Sequence, residues 1–260
     1  MSRKNGFTNG NITDQFKKGI NETYFEWIFR DHKPRNGKGK HIDLYAGAGI
    51  YPNEGRWRGS PMWALDAAKK IKEKMDFYFF EFSKKMREKL DKSVHMHRIL
   101  PPNMKINIEG EWRGNNIKEL IDKSDEFTSW YIDPTYIIDY LEYGWDGGNG
   151  ESGILDHLPD ILDTNAKVSM YVPEATKDRN NRLSLVDRSL VRDIEDCIIA
   201  SGRHGIDLSH IENKNNPLYE RIDHNIIIGH YLNEIREIHD DLEIKLNRNL
   251  NQDNYRLFNI

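Results

Sequence analysis

A chain of 260 residues, 37% hydrophobic and with 19 glycines, suits one large domain or two small ones and carries material for a sizeable core, which excludes disordered, collagenous and low-complexity classes. Its longest apolar runs, such as Ile226-Ile227-Ile228, fall far short of the roughly 18 residues of a membrane span, and no apolar segment follows the basic N-terminus, so the sequence reads as soluble and cytoplasmic with no membrane partner. The net charge of −4 gives no general pull toward polyanions, but residues 1–40 carry nine Lys and Arg against four Asp and Glu, material for a basic face from Lys17, Lys18, Arg30, Lys33, Arg35, Lys38 and Lys40.

Phe16, Ile20, Tyr24 and Ile28 recur every fourth residue and predict a first helix over about 14–29. Pro34 and Gly37-Lys38-Gly39 mark a loop after it. Residues 41–45 form a first strand that runs into Ala46-Gly47-Ala48-Gly49, a turn whose glycines tolerate unusual backbone angles. Gly59-Ser60-Pro61 then places Ser60 at an N-cap and Pro61 at the first position of a helix over about 61–74. A buried strand at 77–80 ends at Glu81 and is followed by a helix over 83–90. The third strand is 105–108, with a helix at 117–121, and the fourth strand, 129–132, stops at Asp133-Pro134. A helix near 154–162, a fifth strand at 168–172, a helix over 182–200 and a last buried strand at 225–229 follow. Leu232, Ile235, Ile238, Leu242 and Leu246 form the stripe of a terminal helix, which packs on the sheet or pairs subunits. Strands alternating with helices at this pitch indicate parallel βαβ units: an α/β fold with a doubly wound, mostly parallel sheet. With no internal repeat and no long linker, the organisation is a basic helix and loop over 1–40 and one domain over 41–260.

Four features fall at the carboxyl ends of four successive strands: Asp43 to Gly49, Glu81, Glu109 to Glu111, and Asp133 to Tyr136. Ligands bind such sheets at that edge. The glycine turn brings backbone close to a ligand, but it does not spell G-x-G-x-x-G and no P-loop motif occurs, so dinucleotide and nucleotide-triphosphate readings lose ground. An Asp ahead of the glycines suits a positively charged ligand better than a pyrophosphate. Glu81 offers two acceptors for the hydroxyls of a ribose. Glu111, preferred to Glu109, offers an acceptor for an exocyclic amine, with Trp112 to stack on a ring.

Asp133-Pro134-Thr135-Tyr136 resembles the D-P-P-Y signature of S-adenosylmethionine-dependent methyltransferases that modify exocyclic amino groups, with Thr135 in place of the second proline. Asp43-Leu-Tyr-Ala-Gly-Ala-Gly-Ile-Tyr51 followed by Gly59-Ser60-Pro61 is similar to two class I families: ribosomal RNA adenine-N6 methyltransferases, and the three-Cys-motif partner proteins, whose next helix also opens with Gly-Ser-Pro. Ile50 stands where both usually carry Arg. The resemblance covers about residues 40–140 and implies a Rossmann-like methyltransferase fold with a seven-stranded sheet. It implies S-adenosylmethionine as cofactor, with Asp43, Tyr45, Ala46, Gly47 and Gly49 around its methionine part, Glu81 at its ribose, and Glu111 and Trp112 at its adenine. Asp133, Pro134 and Tyr136 would hold the acceptor. Two acceptors on an arylamine favour the pyramidal geometry from which its lone pair attacks a methyl sulfonium, with no metal required.

The 83 residues between Gly49 and Asp133 are consumed by predicted helices and strands, which leaves no room there for a DNA-reading domain. The resemblance implies a nucleic-acid substrate, its adenine N6 amino group being methylated, and this spacing puts RNA ahead of DNA, with a protein partner as a possible source of specificity. The alternatives are transfer to a protein or small molecule, and a binding module that keeps the sheet without catalysis. Tyr140, Tyr143 and Trp145, beside the glycine-rich 146–150, form a candidate flap over a base. His95 and His97 on one strand face lack a third metal ligand, and Cys197, the single cysteine, reads as a core residue and excludes an internal disulfide.

Overall fold

The computed structural model describes residues 12–30, 38–51, 57–69, 74–96, 104–134, 152–173, 175–177, 183–185, 189–209, 223–246 and 255–259. The elements are α1 (Ile12–Arg30), β1 (Lys38–Asp43), β2 (Ile50–Tyr51), β3 (Trp57–Arg58), α2 (Ser60–Ala68), β4 (Lys74–Phe80), α3 (Lys84–Met96), β5 (Met104–Glu109), α4 (Asn115–Asp122) and β6 (Thr128–Ile132). After these come α5 (Ile154–Asp163), β7 (Lys167–Pro173), β8 (Ala175–Lys177), β9 (Leu183–Leu185), α6 (Ser189–Ala200), β10 (His204–Ser209), β11 (Asp223–Gly229), α7 (Leu232–Leu246) and β12 (Tyr255–Phe258).

The main sheet has the order β12-β10-β11-β7-β6-β1-β4-β5. Strands β5, β4, β1, β6 and β7 are parallel, while β11 opposes β7 and β10, and β12 opposes β10. The chain leaves β1 toward β4 and β5, then returns to build β6 and β7 on its other side. The topological switch point thus lies between β1 and β6, where this architecture opens a crevice.

The sheet has eight strands rather than seven. The extra one is β12, a four-residue edge strand whose Phe258 is buried, too short to carry a legible pattern. Strand β10, His-Gly-Ile-Asp-Leu-Ser, also escaped the reading because Gly205 and Asp207 break its apolar run.

Alternation along the strands divides the core. Ile42 and Leu44 of β1 join Trp130, Ile132, Val168 and Met170 under α4, α5 and α6. Phe77, Phe79 and Tyr131 face the other way, under α1, α2, α3 and α7. Helix α1 is part of this second core: Ile20, Tyr24, Phe25, Trp27, Ile28 and Phe29 are buried, and the Tyr24 hydroxyl donates to the Trp130 carbonyl at 3.1 Å. Strand β1 begins at Lys38, so residue 40 lies within the sheet. Ile235, Ile238 and Leu242 of α7 also pack into this core, which places the terminal stripe on the sheet.

Several local expectations are corrected. Helix α2 starts at Ser60 with Gly59 as N-cap in extended conformation, so Ser60 is the first helical residue and its hydroxyl is engaged elsewhere. The helix ends at Ala68 rather than near residue 74, because Lys74 already opens β4. Helix α3 runs on to Met96, which puts His95 on a helix and not a strand; its Nδ1 meets the Asp91 carbonyl at 2.7 Å. His97 lies outside the described residues, as do Thr135, Tyr136 and the expected flap at 140–150. Residues 183–185 pair with β8 as a small antiparallel ribbon, so the helix expected from 182 starts at Ser189. Among the described residues no helix is long and apolar enough to cross a membrane, and no three His, Cys, Asp or Glu side chains are grouped to hold a metal ion.

Candidate active site

Asp43 is the last residue of β1, paired in register with Phe79 of β4 and Tyr131 of β6. Beyond it three bonds keep the strand ends together: Leu44 N–H to the Tyr131 carbonyl at 3.1 Å, Ala46 N–H to Phe80 at 2.9 Å, and Glu81 N–H to Glu109 at 3.1 Å. The glycine turn follows, with Gly47 at φ 61° and Gly49 at φ 70°, left-handed conformations that favour glycine. A side chain at Gly49 would also meet Leu90 Cδ1 at 2.9 Å and Ser93 Cβ at 3.2 Å, so α3 presses directly on this turn. Ser93 Oγ donates to the Ala48 carbonyl at 2.9 Å and Gly59 N–H to the Gly49 carbonyl at 2.7 Å, which ties the turn to α3 and the start of α2.

The turn's amides serve carboxylates of the protein itself. Tyr45 N–H donates to Asp43 Oδ1 at 3.0 Å, and Gly47 N–H bonds the Glu81 carboxylate. A phosphate nest needs such donors aimed outward. Here two are already engaged, which supports the reading of a site for a cation.

Asp43 is fully buried, and Ser60 Oγ donates to its Oδ2 at 2.7 Å. Burial raises its pKa to about 7; the Ser60 hydroxyl and Tyr45 amide oppose the rise, and the charges of Asp133 and Glu81 add to it. Burial also raises Glu81, against the amides of Ser83 and Gly47 and the guanidinium of Arg87. Asp133, buried at the end of β6, accepts the Tyr131 hydroxyl at 3.1 Å. Burial, with Asp133 and Asp43 nearby, holds that phenol well above its usual range. Pro134 is buried beside it. Three acidic residues thus converge at the switch point on one side of the sheet.

On the β4–β5 side a small open cleft is lined by Leu44, Tyr45, Glu81, Phe82, Gly110, Glu111, Trp112 and Arg113. The structure brings Tyr45, Glu81, Glu111 and Trp112 together here, whereas Glu109 is exposed and outside the lining. Trp112 is buried, edge-on to Tyr45 at 6.1 Å, with the Arg113 guanidinium 4.7 Å over its ring. Trp112 is therefore a wall, and the half-exposed Phe82 is the aromatic ring at the mouth. Ser60, Phe82, Arg113 and Tyr131 were missed by the sequence reading. Phe82 and Arg113 had a usable signal, since each directly follows a residue already singled out.

No family model and no curated protein matches the chain. Among solved structures it is similar to protein LPL1258 from Legionella pneumophila, with a TM-score of 0.54, 14% identity and 96% of each chain covered. A methyltransferase from Pyrococcus furiosus gives a TM-score of 0.42 at 16% identity, covering 79% of this chain and 81% of that one. An S-adenosylmethionine-dependent methyltransferase from Agrobacterium tumefaciens gives 0.42 at 12%, covering 80% and 61%. At 14% identity the likeness to LPL1258 concerns the fold alone, and the doubly wound sheet is read directly from the strand order.

Proposed function

We propose that the chain is an S-adenosylmethionine-dependent methyltransferase acting on the N6 amino group of adenine in nucleic acid, RNA ahead of DNA. The observation that carries this reading is the convergence of Asp43, Glu81 and Asp133 at the switch point, beside a turn whose amides are already engaged by two of them. A buried group of like charges is stabilised by a cationic ligand. S-adenosylmethionine, when bound, supplies a methyl group on a positively charged sulfonium, and this donor set fits it. Asp43 and the turn from Tyr45 to Gly49 would hold the methionine end, Glu81 the ribose, and the cleft of Glu111, Trp112 and Phe82 the adenine.

The acceptor falls to Asp133 and Pro134 at the end of β6. A carboxylate and a carbonyl that accept the two amino hydrogens localise the nitrogen lone pair and set its direction of attack. Tyr131 donates to one oxygen of Asp133 and so fixes the carboxylate plane. Tyr136, outside the described residues, is proposed from the motif to stack on the base. RNA is favoured because the stretch from Gly49 to Asp133 is used by α2, α3, α4 and their strands, with no inserted DNA-reading unit among its described residues; a protein partner supplying specificity fits the same economy.

The test is transfer of labelled methyl to ribosomal RNA, transfer RNA, duplex DNA and single-stranded DNA, with nucleoside analysis of the product. Label in N6-methyladenine is expected. Absence of cofactor binding by calorimetry overturns the enzyme reading, and label confined to protein or small molecules overturns the acceptor.

A further inference from the structure

Of the basic residues expected to form a face over 1–40, only Lys18 and Lys40 have described side chains. On the described part of α1, Lys18 pairs with Glu22 at 3.7 Å, and Glu22 and Glu26 both hold Lys245 of α7, at 3.8 and 3.5 Å. That face is mixed and internally neutralised. Residues 56–98, in contrast, carry twelve Lys and Arg against six Asp and Glu in a chain of net charge −4. Helix α3 holds five of those cations within thirteen residues.

The two sides of α3 are distinct. Leu90, Ser93 and Val94 face inward and pack on the glycine turn. Lys85, Lys89 and Lys92 follow at spacings of four and three, which places them on one outward stripe, and all three are exposed. Lys69 holds Asp66, Lys123 holds Glu119 and Lys245 is paired as above, while Lys84 at the start of the same helix is exposed like the stripe. Lys85, Lys89 and Lys92 form no ion pair among the described residues, although Glu88 lies one turn from Lys92. The stripe starts near the cleft, because Lys85 stands three residues after Phe82, which forms the mouth, whereas Arg87 on the other side of the helix donates to the carbonyls of Glu81 and Phe82, both at 2.7 Å.

We propose that this outer face of α3 is the contact surface for the phosphate backbone of the nucleic acid whose base enters the site. The inference rests on the reading of nucleic acid as substrate. A row of ammonium groups along about 10 Å of helix, its first member three residues from an exposed aromatic ring, complements a phosphate strand with an unstacked base next to it. Lysine suits a sequence-independent contact, since each ammonium acts as a point charge.

The experiment uses the full chain with Lys85→Gln, Lys89→Gln and Lys92→Gln combined, and Lys245→Gln as a control for loss of a paired surface lysine. Binding of labelled RNA and DNA is measured by anisotropy between 50 and 200 mM salt, alongside methyl transfer and cofactor calorimetry. The triple variant is expected to lose about tenfold or more in affinity at low salt, and its log K against log salt slope to become shallower by about 2. Its cofactor affinity and melting temperature stay unchanged, and the control behaves as wild type. If nucleic acid is methylated while slope and KM are unaltered in the triple variant, the surface is overturned and the function stands. Poly-glutamate bound as tightly as RNA at equal salt assigns the face to an acidic protein and overturns the proposal. If the wild type neither binds nor methylates nucleic acid, the functional reading falls and this surface falls with it.

Discussion

The two edges of the same sheet treat buried charge in opposite ways. At the edge opposite the site, Lys167 at the start of β7 meets Glu234 of α7 at 3.3 Å and lies 4.4 Å over the Trp27 ring. Glu234 also accepts the amides of His230 and Tyr231, at 2.7 and 3.0 Å. Burial raises its pKa, but Lys167 and those amides outweigh this and hold it below the usual range. Buried Arg203 donates to the Asn165 side chain at 3.1 Å and the Ala166 carbonyl at 2.5 Å, and touches His230 Nδ1 at 3.0 Å. At the carboxyl edge burial moves the pKa of Asp43 up to about 7, against the Ser60 hydroxyl and Tyr45 amide, and the charges of Asp133 and Glu81 add to the rise where a cation would oppose it. One edge joins strand ends with opposite charges, while the other holds like charges together at a cost in stability, as preorganised sites do.

The largest effect is expected from breaking the compensated edge. Arg203→Met leaves the acceptors of Asn165 and Ala166 without their donor and removes a positive charge near Glu234, and should destabilise by about 3–5 kcal/mol in denaturant unfolding. A loss below 1 kcal/mol would remove the contrast between the edges. The matching change at the site has the opposite sign. Because the folded value for Asp43, about 7, lies above the ordinary 3.8, the folded chain retains a proton that the unfolded chain has released between those values. Stability therefore falls as pH rises through that window, and the penalty is complete above it. Asp43→Asn should stabilise at pH 8 by up to about 4 kcal/mol, with the gain vanishing near pH 4, while cofactor binding is lost. Unfolding curves at both pH values check the sign.

The position of the strand ends was legible in the sequence. Asp43, Gly47, Gly49, Glu81 and Asp133 stand at strand ends, and each strand was legible because strands covered on both faces are continuous apolar runs. What was illegible depends on pairing between distant residues. The bond from Ser60 to Asp43 joins residues 17 apart, and Ser60 reads equally well as a helix cap. Tyr131 looks like one more strand aromatic until its hydroxyl is placed beside Asp133. The paired state of α1 was equally hidden, because Lys245 comes from the far end of the chain.

That hidden bond gives the next test. Tyr131→Phe removes a donor to the ionised form of Asp133 and leaves the ring packing in place. Stability should fall by only about 1 kcal/mol, while kcat for methyl transfer falls about tenfold or more and cofactor KM holds.

The smallest effect is the most direct probe of the acidic site. If Asp43 must be ionised to face a sulfonium, and titrates near 7, then about one tenth of it is competent at pH 6 and nine tenths at pH 8. Cofactor affinity should therefore rise about tenfold between those values. The demethylated product lacks the sulfonium and keeps the ammonium of its amino-acid end, so if the sulfonium is what Asp43 faces, its affinity should change far less over the same range. Calorimetry of both ligands at the two pH values separates charge recognition from general loss of structure, because a pH-dependent distortion would weaken both equally. Equal slopes for the two ligands would show that Asp43 faces a group they share, such as the ammonium of the amino-acid end, and not the sulfonium.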